Sequence, residues 1–236
     1  SLLATATPLY SIAEIRAIET AAAASLPQGT LMARAGQAAA SAALKILNHL
    51  ADGDAAHMRV LVLAGPGNNG GDALEAAAHL AGAGIEVLAW LAPEAQSTSP
   101  EREQAASRAR NSAARFIDGA TTMASAAINA APWNLVIDGL FGIGSTRPLA
   151  GVCREMAQLV NQQSCPVLAL DVPSGLHADT GLVDGVAIHA SHTITFIGDK
   201  PGLHTADGRD HAGEVEVAAL AIAPALLPQA GAQLNG

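Results

Sequence analysis

Residues 59–80 read RVLVLAGPGNNGGDALEAAAHL, an apolar run that stops abruptly in glycines and resumes as a helical pattern. Val60, Leu61, Val62, Leu63 and Ala64 show no polar alternation, as expected of a parallel strand buried on both faces, and Ala73 to Ala83 is rich in helix formers. The stretch therefore predicts strand, loop, helix. In the loop, Gly65, Gly67, Gly70 and Gly71 remove the side chains that would block an approaching phosphate. The helix that follows aims its free N–H groups and positive dipole end at the same point, so an anionic ligand is expected. Gly65 to Gly70 fits the dinucleotide pattern GxGxxG, which alone is weak, because glycine-rich turns close many strand-to-helix connections for packing reasons. Asn68, Asn69 and Asp72 add carboxamide and carboxylate oxygens that a plain pyrophosphate cradle does not need.

Length and composition bound the rest. A chain of 236 residues, half of them hydrophobic, suits one large α/β domain over residues 1–236. A net charge of −9 with only 12 Lys and Arg leaves no basic stripe, which argues against a nucleic-acid groove. Cys153 and Cys165 lack CxxC spacing and read as buried reduced thiols. No run of about 18 apolar residues is free of charges and glycines, and the N-terminus lacks the basic start and hydrophobic core of a signal peptide. No membrane role and a cytoplasmic location are expected.

Before the glycine loop, Ser11-Ile12-Ala13-Glu14 reads as a capping box opening a helix to about Ala24, and Leu31 to Leu50 reads as a second helix whose Ala35–Ala43 face allows close packing. Two helices ahead of the first strand is not how an ordinary dehydrogenase begins. Beyond the loop, strands are expected at Ile85–Leu91, Asn134–Asp138 and Val167–Asp171, with helices from Ser99 to about Arg115 and from Thr122 to Ala131. His192–Ile197 and Gly213–Ile222 close the sheet, with antiparallel pairing of those two expected. From about Pro224 the composition suggests a frayed tail or a linker.

The strands at Asn134–Asp138 and Val167–Asp171 both end in a carboxylate, at the strand ends where ligands of open α/β sheets bind. Asp171 is the candidate acid/base group, its proton affinity set by burial and neighbours; the alternative is a structural carboxylate accepting nearby N–H bonds. Asn69, Asp138 and Ser174 offer an all-oxygen set suited to a hard cation, and a single carboxylate among neutral oxygens favours a large monovalent ion over magnesium. Gly142-Ile143-Gly144-Ser145-Thr146-Arg147-Pro148 is a second loop suited to phosphate, unless it is a plain surface turn. His189, His192, His204 and His211 lack a helical metal-ligand motif, and Ser174 follows proline rather than sitting in a GxSxG elbow.

GPGNNGGD, DGLFGIGSTRP, DVPSGLHADTG, FIGDKPGL and GRDHAGEVEVA occur in one order along the chain. In these motifs the sequence resembles the YjeF N-terminal domain, the NAD(P)H-hydrate epimerase family, over nearly the whole chain, from the first helix and the LMARAG stretch at Leu31–Gly36 to about Ile222. The resemblance implies a Rossmann-like three-layer α/β/α sandwich with a mostly parallel sheet, and an enzyme interconverting the R and S epimers of hydrated NADH and NADPH. The nucleotide is then substrate rather than cofactor. It further implies substrate contacts at Asn68, Asn69, Gly70, Gly71, Asp72, at Gly142, Ile143, Gly144, Ser145, Thr146, Arg147, Pro148, and at Asp171 as the catalytic acid. A potassium ion is implied at Asn69, Asp138 and Ser174, the set the oxygen argument reaches. An NAD(P)H-hydrate dehydratase, in many bacteria a fused C-terminal domain, is the implied partner, and a homo-oligomer is expected. Ala73 and Ala33 depart from the family pattern, at positions that touch neither the catalytic nor the ion-binding set.

Two other readings are weighed. A nicotinamide oxidoreductase needs an acid about 20 residues past the glycines, at the end of the second strand, to hold the ribose. Here that strand ends Leu88-Ala89-Trp90-Leu91-Ala92, with Glu86 too early and Glu94 beyond Pro93. A noncatalytic scaffold or binding domain would have lost the set Asn69, Asp72, Asp138 and Asp171, which is intact.

Overall fold

The apolar run forms β2 (Arg59–Ala64), buried from Val60 onward. Val60, Val62 and Ala64 point into one apolar cluster, Leu61 and Leu63 into another. A strand covered on both faces has no polar side to alternate with. The computed structural model that shows this describes residues 6–93, 98–119, 121–129 and 132–234, the side chains of 121–124 excepted.

In chain order the elements are β1 (Thr7–Leu9), α1 (Ile12–Ala23), α2 (Thr30–Leu50), β2, α3 (Asn68–Gly82), β3 (Glu86–Leu91), α4 (Pro100–Arg110) and β4 (Arg115–Asp118). There follow α5 (Thr121–Asn129), β5 (Leu135–Gly139), α6 (Gly151–Asn161), β6 (Val167–Leu170), β7 (His192–Phe196), α7 (Gly208–His211), β8 (Glu214–Ala218) and β9 (Ala232–Leu234). Seven strands make one sheet in the order β4-β3-β2-β5-β6-β7-β8, with every neighbouring pair parallel. One face carries α1 to α4 through Ile15, Ile18, Leu47, Leu74, Leu80 and Ala105. The other carries α5 and α6 through Ile128, Met156 and Val160. The result is the Rossmann-like three-layer α/β/α fold.

Local chemistry accounts for the helix starts. Ser11 Oγ accepts from Glu14 N while Glu14 accepts from Ser11 N, closing the capping box. Ser99 caps α4 through Arg102 N, with Pro100 at the first helical position. The alanine face of α2 lies close on α3: a Cβ at Gly36 would stand 2.1 Å from Glu75 Cβ.

Three expectations are corrected. β7 and β8 pair in parallel, because residues 197–213 are no hairpin but a crossover holding the 3₁₀ turn Pro201–Leu203 and α7. The helix expected to reach Arg115 stops at Arg110, and Arg115–Asp118 is the short, half-exposed edge strand β4, whose mixed polarity gives no strand pattern. The stretch from Pro224, expected to fray, returns as β9, which pairs antiparallel with β1.

The topology places the site. From β2 the chain winds outward through β3 and β4; from β5 it winds the other way through β6, β7 and β8. β2 and β5 are neighbours, so the direction reverses between them, and a crevice opens outside their carboxyl ends. The two glycine loops leave the sheet there.

Candidate active site

The loop after β2 is held by contacts only glycine permits. Gly65 N donates to Gly139 O at 2.8 Å. A Cβ at Gly65 would stand 1.8 Å from Leu140 O, and one at Gly70 would stand 1.9 Å from Gly65 O. Buried Arg102, from α4, closes the same carbonyl with Nε at 3.1 Å and Nη2 at 2.8 Å. Gly70 and Gly71 are thus packing glycines, Gly71 lying against the Met32 side chain. The first intrahelical bond of α3 is Gly71 N to Gly67 O, which leaves the amides of Asn68, Asn69 and Gly70 as first-turn donors.

Asp171 stands just past β6, 9 % exposed, in a left-handed conformation with φ of 71°. Val172 N donates to Leu170 O at 2.9 Å across it, so the acid sits at the tip of a tight three-residue turn. The neighbouring strand β7 ends the same way: Ile197 has φ of 73° and Gly198 N reaches Phe196 O at 2.8 Å. Two strained non-glycine turns at adjacent strand ends point to a functional constraint. Asp171 Oδ1 accepts from Thr195 Oγ1 and Phe196 N, each at 3.2 Å, and lies 2.9 Å from Nζ of the fully buried Lys200. That ammonium also meets Thr195 Oγ1 at 2.6 Å, Phe196 O at 3.0 Å and Gly198 O at 2.9 Å.

Asp138, at the end of β5, is 0 % exposed. Its carboxylate accepts from Ser174 Oγ at 2.6 Å, Ser174 N at 2.8 Å and Leu140 N at 3.2 Å. Burial pushes it up to about 6, against the pull of the two Ser174 bonds and the Leu140 amide. Ser174 Oγ accepts from Phe141 N, and the Ser174 carbonyl accepts from Ile188 N. Asn69 donates Nδ2 to Leu170 O at 2.9 Å, while its buried Oδ1 has no partner among the described residues. Among the described residues no group of three or more His, Cys, Asp or Glu side chains gathers for a metal. The oxygen set Asn69, Asp138 and Ser174 therefore differs in kind from a transition-metal site.

Two clefts meet at these residues. One of about 620 Å³ is lined by Asn68, Asn69, Asp72, the segment 142–147 and Asp171, with Arg16 and Glu19 from α1. The other, of about 360 Å³, is more apolar: Leu26, Leu31, Met32, Phe196 and Ile197 join Glu19, Asn68, Asp72 and Asp171. Pro148 lies outside both, on a smaller recess behind Arg147. Gly142 opens the line between two functional groups, since a Cβ there would stand 3.1 Å from Asn69 Nδ2 and 3.4 Å from Asp171 Oδ2. Burial drives the Asp72 carboxyl well above the usual range, and the charges of Asp171, Glu19 and Glu75 act in the same sense. Glu19 is raised by burial first and by Asp171 second.

Arg16, Glu19 and Lys200 escape the sequence reading. Arg16 and Glu19 look like the solvated side of an amphipathic helix, and Lys200 looks like a surface-turn residue before Pro201. The signal for Lys200 was its place in the turn that follows a strand, in FIGDKPGL, on the same end of the sheet as Asp171. The ribose-binding acid of an oxidoreductase is missing from the end of β3: Glu86 lies at the opposite end, paired with Arg115 and Arg59. Glu94 lies outside the described residues.

Comparison with known proteins agrees with this geometry. The family model described as YjeF-related protein N-terminus matches residues 28–202. An NAD(P)H-hydrate epimerase of Achromobacter xylosoxidans is 42% identical over 217 residues, which cover 91% of this chain and 96% of that protein. A bifunctional NAD(P)H-hydrate repair enzyme of Salinibacter ruber is 36% identical over 215 residues, 87% of this chain but 39% of its own length. In fold, the crystal structure of the yeast protein YNL200c superposes with a TM-score of 0.75 at 19% identity, covering 89% of this chain and 86% of that one. The chain belongs to the YjeF-related N-terminal family.

Proposed function

We propose that this protein is an NAD(P)H-hydrate epimerase, an isomerase of metabolite repair that interconverts the R and S epimers of hydrated NADH and NADPH. The observation that carries the reading is Asp171: a carboxylate on a strained turn, backed by a buried ammonium, where a cleft lined by both glycine loops joins a second cleft lined in part by Leu26, Leu31, Met32 and Phe196. The polar cleft suits a pyrophosphate, with the first-turn amides of α3, the segment 142–147 and the guanidinium groups of Arg16 and Arg147. The carbon to be inverted bears a hydroxyl and is bonded to the ring nitrogen, so inversion passes through loss of the hydroxyl or through ring opening, helped by the nitrogen lone pair. Either route moves a proton, and Asp171 is placed to move it.

Asn69, Asp138 and Ser174 are the residues to hold a potassium ion, and the unpartnered buried Oδ1 of Asn69 supports that fit. When bound, the ion supplies positive charge against Asp138 and fixes the strand ends around the cleft. The chain acts as one domain, in the cytoplasm and as a homo-oligomer, beside a dehydratase that consumes the S epimer; relatives named as bifunctional repair enzymes support that partnership. Among the described residues no helix is long and apolar enough to cross a membrane.

The deciding experiment mixes the protein with one purified hydrate epimer and follows the other by chromatography. Appearance of the second epimer faster than in a protein-free control is the expected result; no acceleration, from folded protein that binds the hydrate, sinks the reading in favour of a noncatalytic binding domain.

A further inference from the structure

Asp72 lies just past the first turn of α3 and lines both clefts, as Asp171 does from the end of β6. The two carboxylates have opposite surroundings. Asp171 has the Lys200 ammonium at 2.9 Å and hydrogen bonds from Thr195 and Phe196. The Asp72 side chain has no hydrogen bond or ion pair among the described residues. The largest charge effects on it come from acids, Asp171 after β6, Glu19 on α1 and Glu75 on its own helix, of which Asp171 and Glu75 are paired with Lys200 and Arg108; the Arg16 side chain lines the same cleft. A half-buried carboxyl without a partner, where two clefts meet, is placed to hand a proton to a ligand, and a carboxylate held by an ammonium is placed to take one.

Resting on the epimerase reading, we propose that Asp72 is a second catalytic residue, exchanging a proton with the hydrate's oxygen on the ring face opposite Asp171. Inversion through loss and return of water needs a proton on each face. On one face the carbon–oxygen bond breaks with its electron pair going to oxygen. Asp72 donates a proton and water departs, while the ring nitrogen's lone pair forms a carbon–nitrogen double bond. A water then adds to the same carbon from the other face. It gives up one proton to the Asp171 carboxylate, and the double-bond pair returns to nitrogen. The product has the formula of the substrate, one proton has passed from Asp72 to Asp171, and the opposite epimer runs the path backwards.

The test uses Asp72→Asn and Asp171→Asn, each incubated with either purified epimer in water labelled with heavy oxygen. Both variants are first verified as folded by thermal melting and as binding NADPH. Each is expected to epimerise about 10²-fold more slowly than the parent, or worse. Each also keeps one acid, which still removes and restores the hydroxyl on its own face. Asp171→Asn should therefore place label into one epimer without inverting it, and Asp72→Asn into the other. The proposal is overturned if Asp72→Asn epimerises near the parent rate, if both variants label the same epimer, or if folded Asp72→Asn labels neither. A parent that inverts without taking up label also overturns it, while leaving the epimerase reading intact. A parent that fails to epimerise at all overturns the reading beneath.

Discussion

Lys200 Nζ lies 2.9 Å from Asp171 Oδ1, and Lys200 is 0 % exposed. The pair joins the end of β6 to the turn after β7, and both strands leave their ladder there through a residue with φ above 70°. The strain in these turns is held by the charge contact and by the three further oxygens around Nζ: Thr195 Oγ1, Phe196 O and Gly198 O. A buried lysine before a proline is therefore part of the site rather than of the surface.

Removing one member of a buried ion pair leaves the other charged and unpaired, typically a loss of about 3–5 kcal/mol. Lys200→Met is expected to lose stability on that scale in urea denaturation. The double variant with Asp171→Asn should recover part of the loss, since no lone carboxylate then remains. A double variant no more stable than Lys200→Met would show that the lysine acts through packing and not through Asp171.

Asp171→Asn alone is the milder change, because Lys200 keeps its three other oxygens and Asp171 is partly reached by solvent. Its effect should fall on rate: about 10²- to 10⁴-fold in kcat/KM, carried by kcat. A variant with the parent kcat and only a raised KM would make Asp171 a holding residue and leave proton transfer to Asp72.

How much of this was legible depends on the range of each interaction. β2, its loop and α3 were readable because periodicity and glycine spacing are local signals, and the capping box at Ser11 and Glu14 likewise. Asp138 and Asp171 were readable because a carboxylate closing an apolar strand is placed by the strand itself. The parallel pairing of β7 and β8 was not, since strand direction depends on the path taken by residues 197–213 across the sheet. Nor was β9, a three-residue strand that exists only by pairing with β1 at the far end of the chain. Lys200 shares that fate, its partner lying on another strand. The glycines were legible as a loop but not in their division of labour: Gly65 crosses the backbone of residues 139 and 140, and Gly70 packs on Gly65 itself, which only the fold reveals.

That crossing predicts an intolerant position. A methyl group at residue 70 would stand 1.9 Å from the Gly65 carbonyl oxygen, itself pinned by Arg102, so the backbone and not a flexible side chain must move. Gly70→Ala should lose about 1–3 kcal/mol or more in chemical denaturation. It should also weaken nucleotide binding, because the amides of the first turn of α3 shift with the loop. Gly67→Ala meets nothing within 4 Å and should leave stability nearly unchanged. Equal losses at the two positions would refute the packing account.

The last prediction concerns the cation and Asp138. Without an ion, burial raises this carboxyl from 3.8 to about 6. A folded-state value above the unfolded one means a contribution to stability that is fully present below about pH 3.8 and lost as pH rises through about 6. At 1.36 kcal/mol per unit, the loss at neutral pH is about 3 kcal/mol. A cation held by Asp138 and the free Oδ1 of Asn69 offsets that loss only where Asp138 is ionised. Potassium should therefore raise the melting temperature strongly at about pH 8 and little at about pH 5, relative to tetramethylammonium at the same ionic strength. Asn69→Leu removes the unpartnered oxygen without touching the charge, and it should abolish the potassium increment at both pH values while leaving the pH dependence in tetramethylammonium. A potassium effect of the same size at both pH values, or one that survives in Asn69→Leu, would place the ion elsewhere.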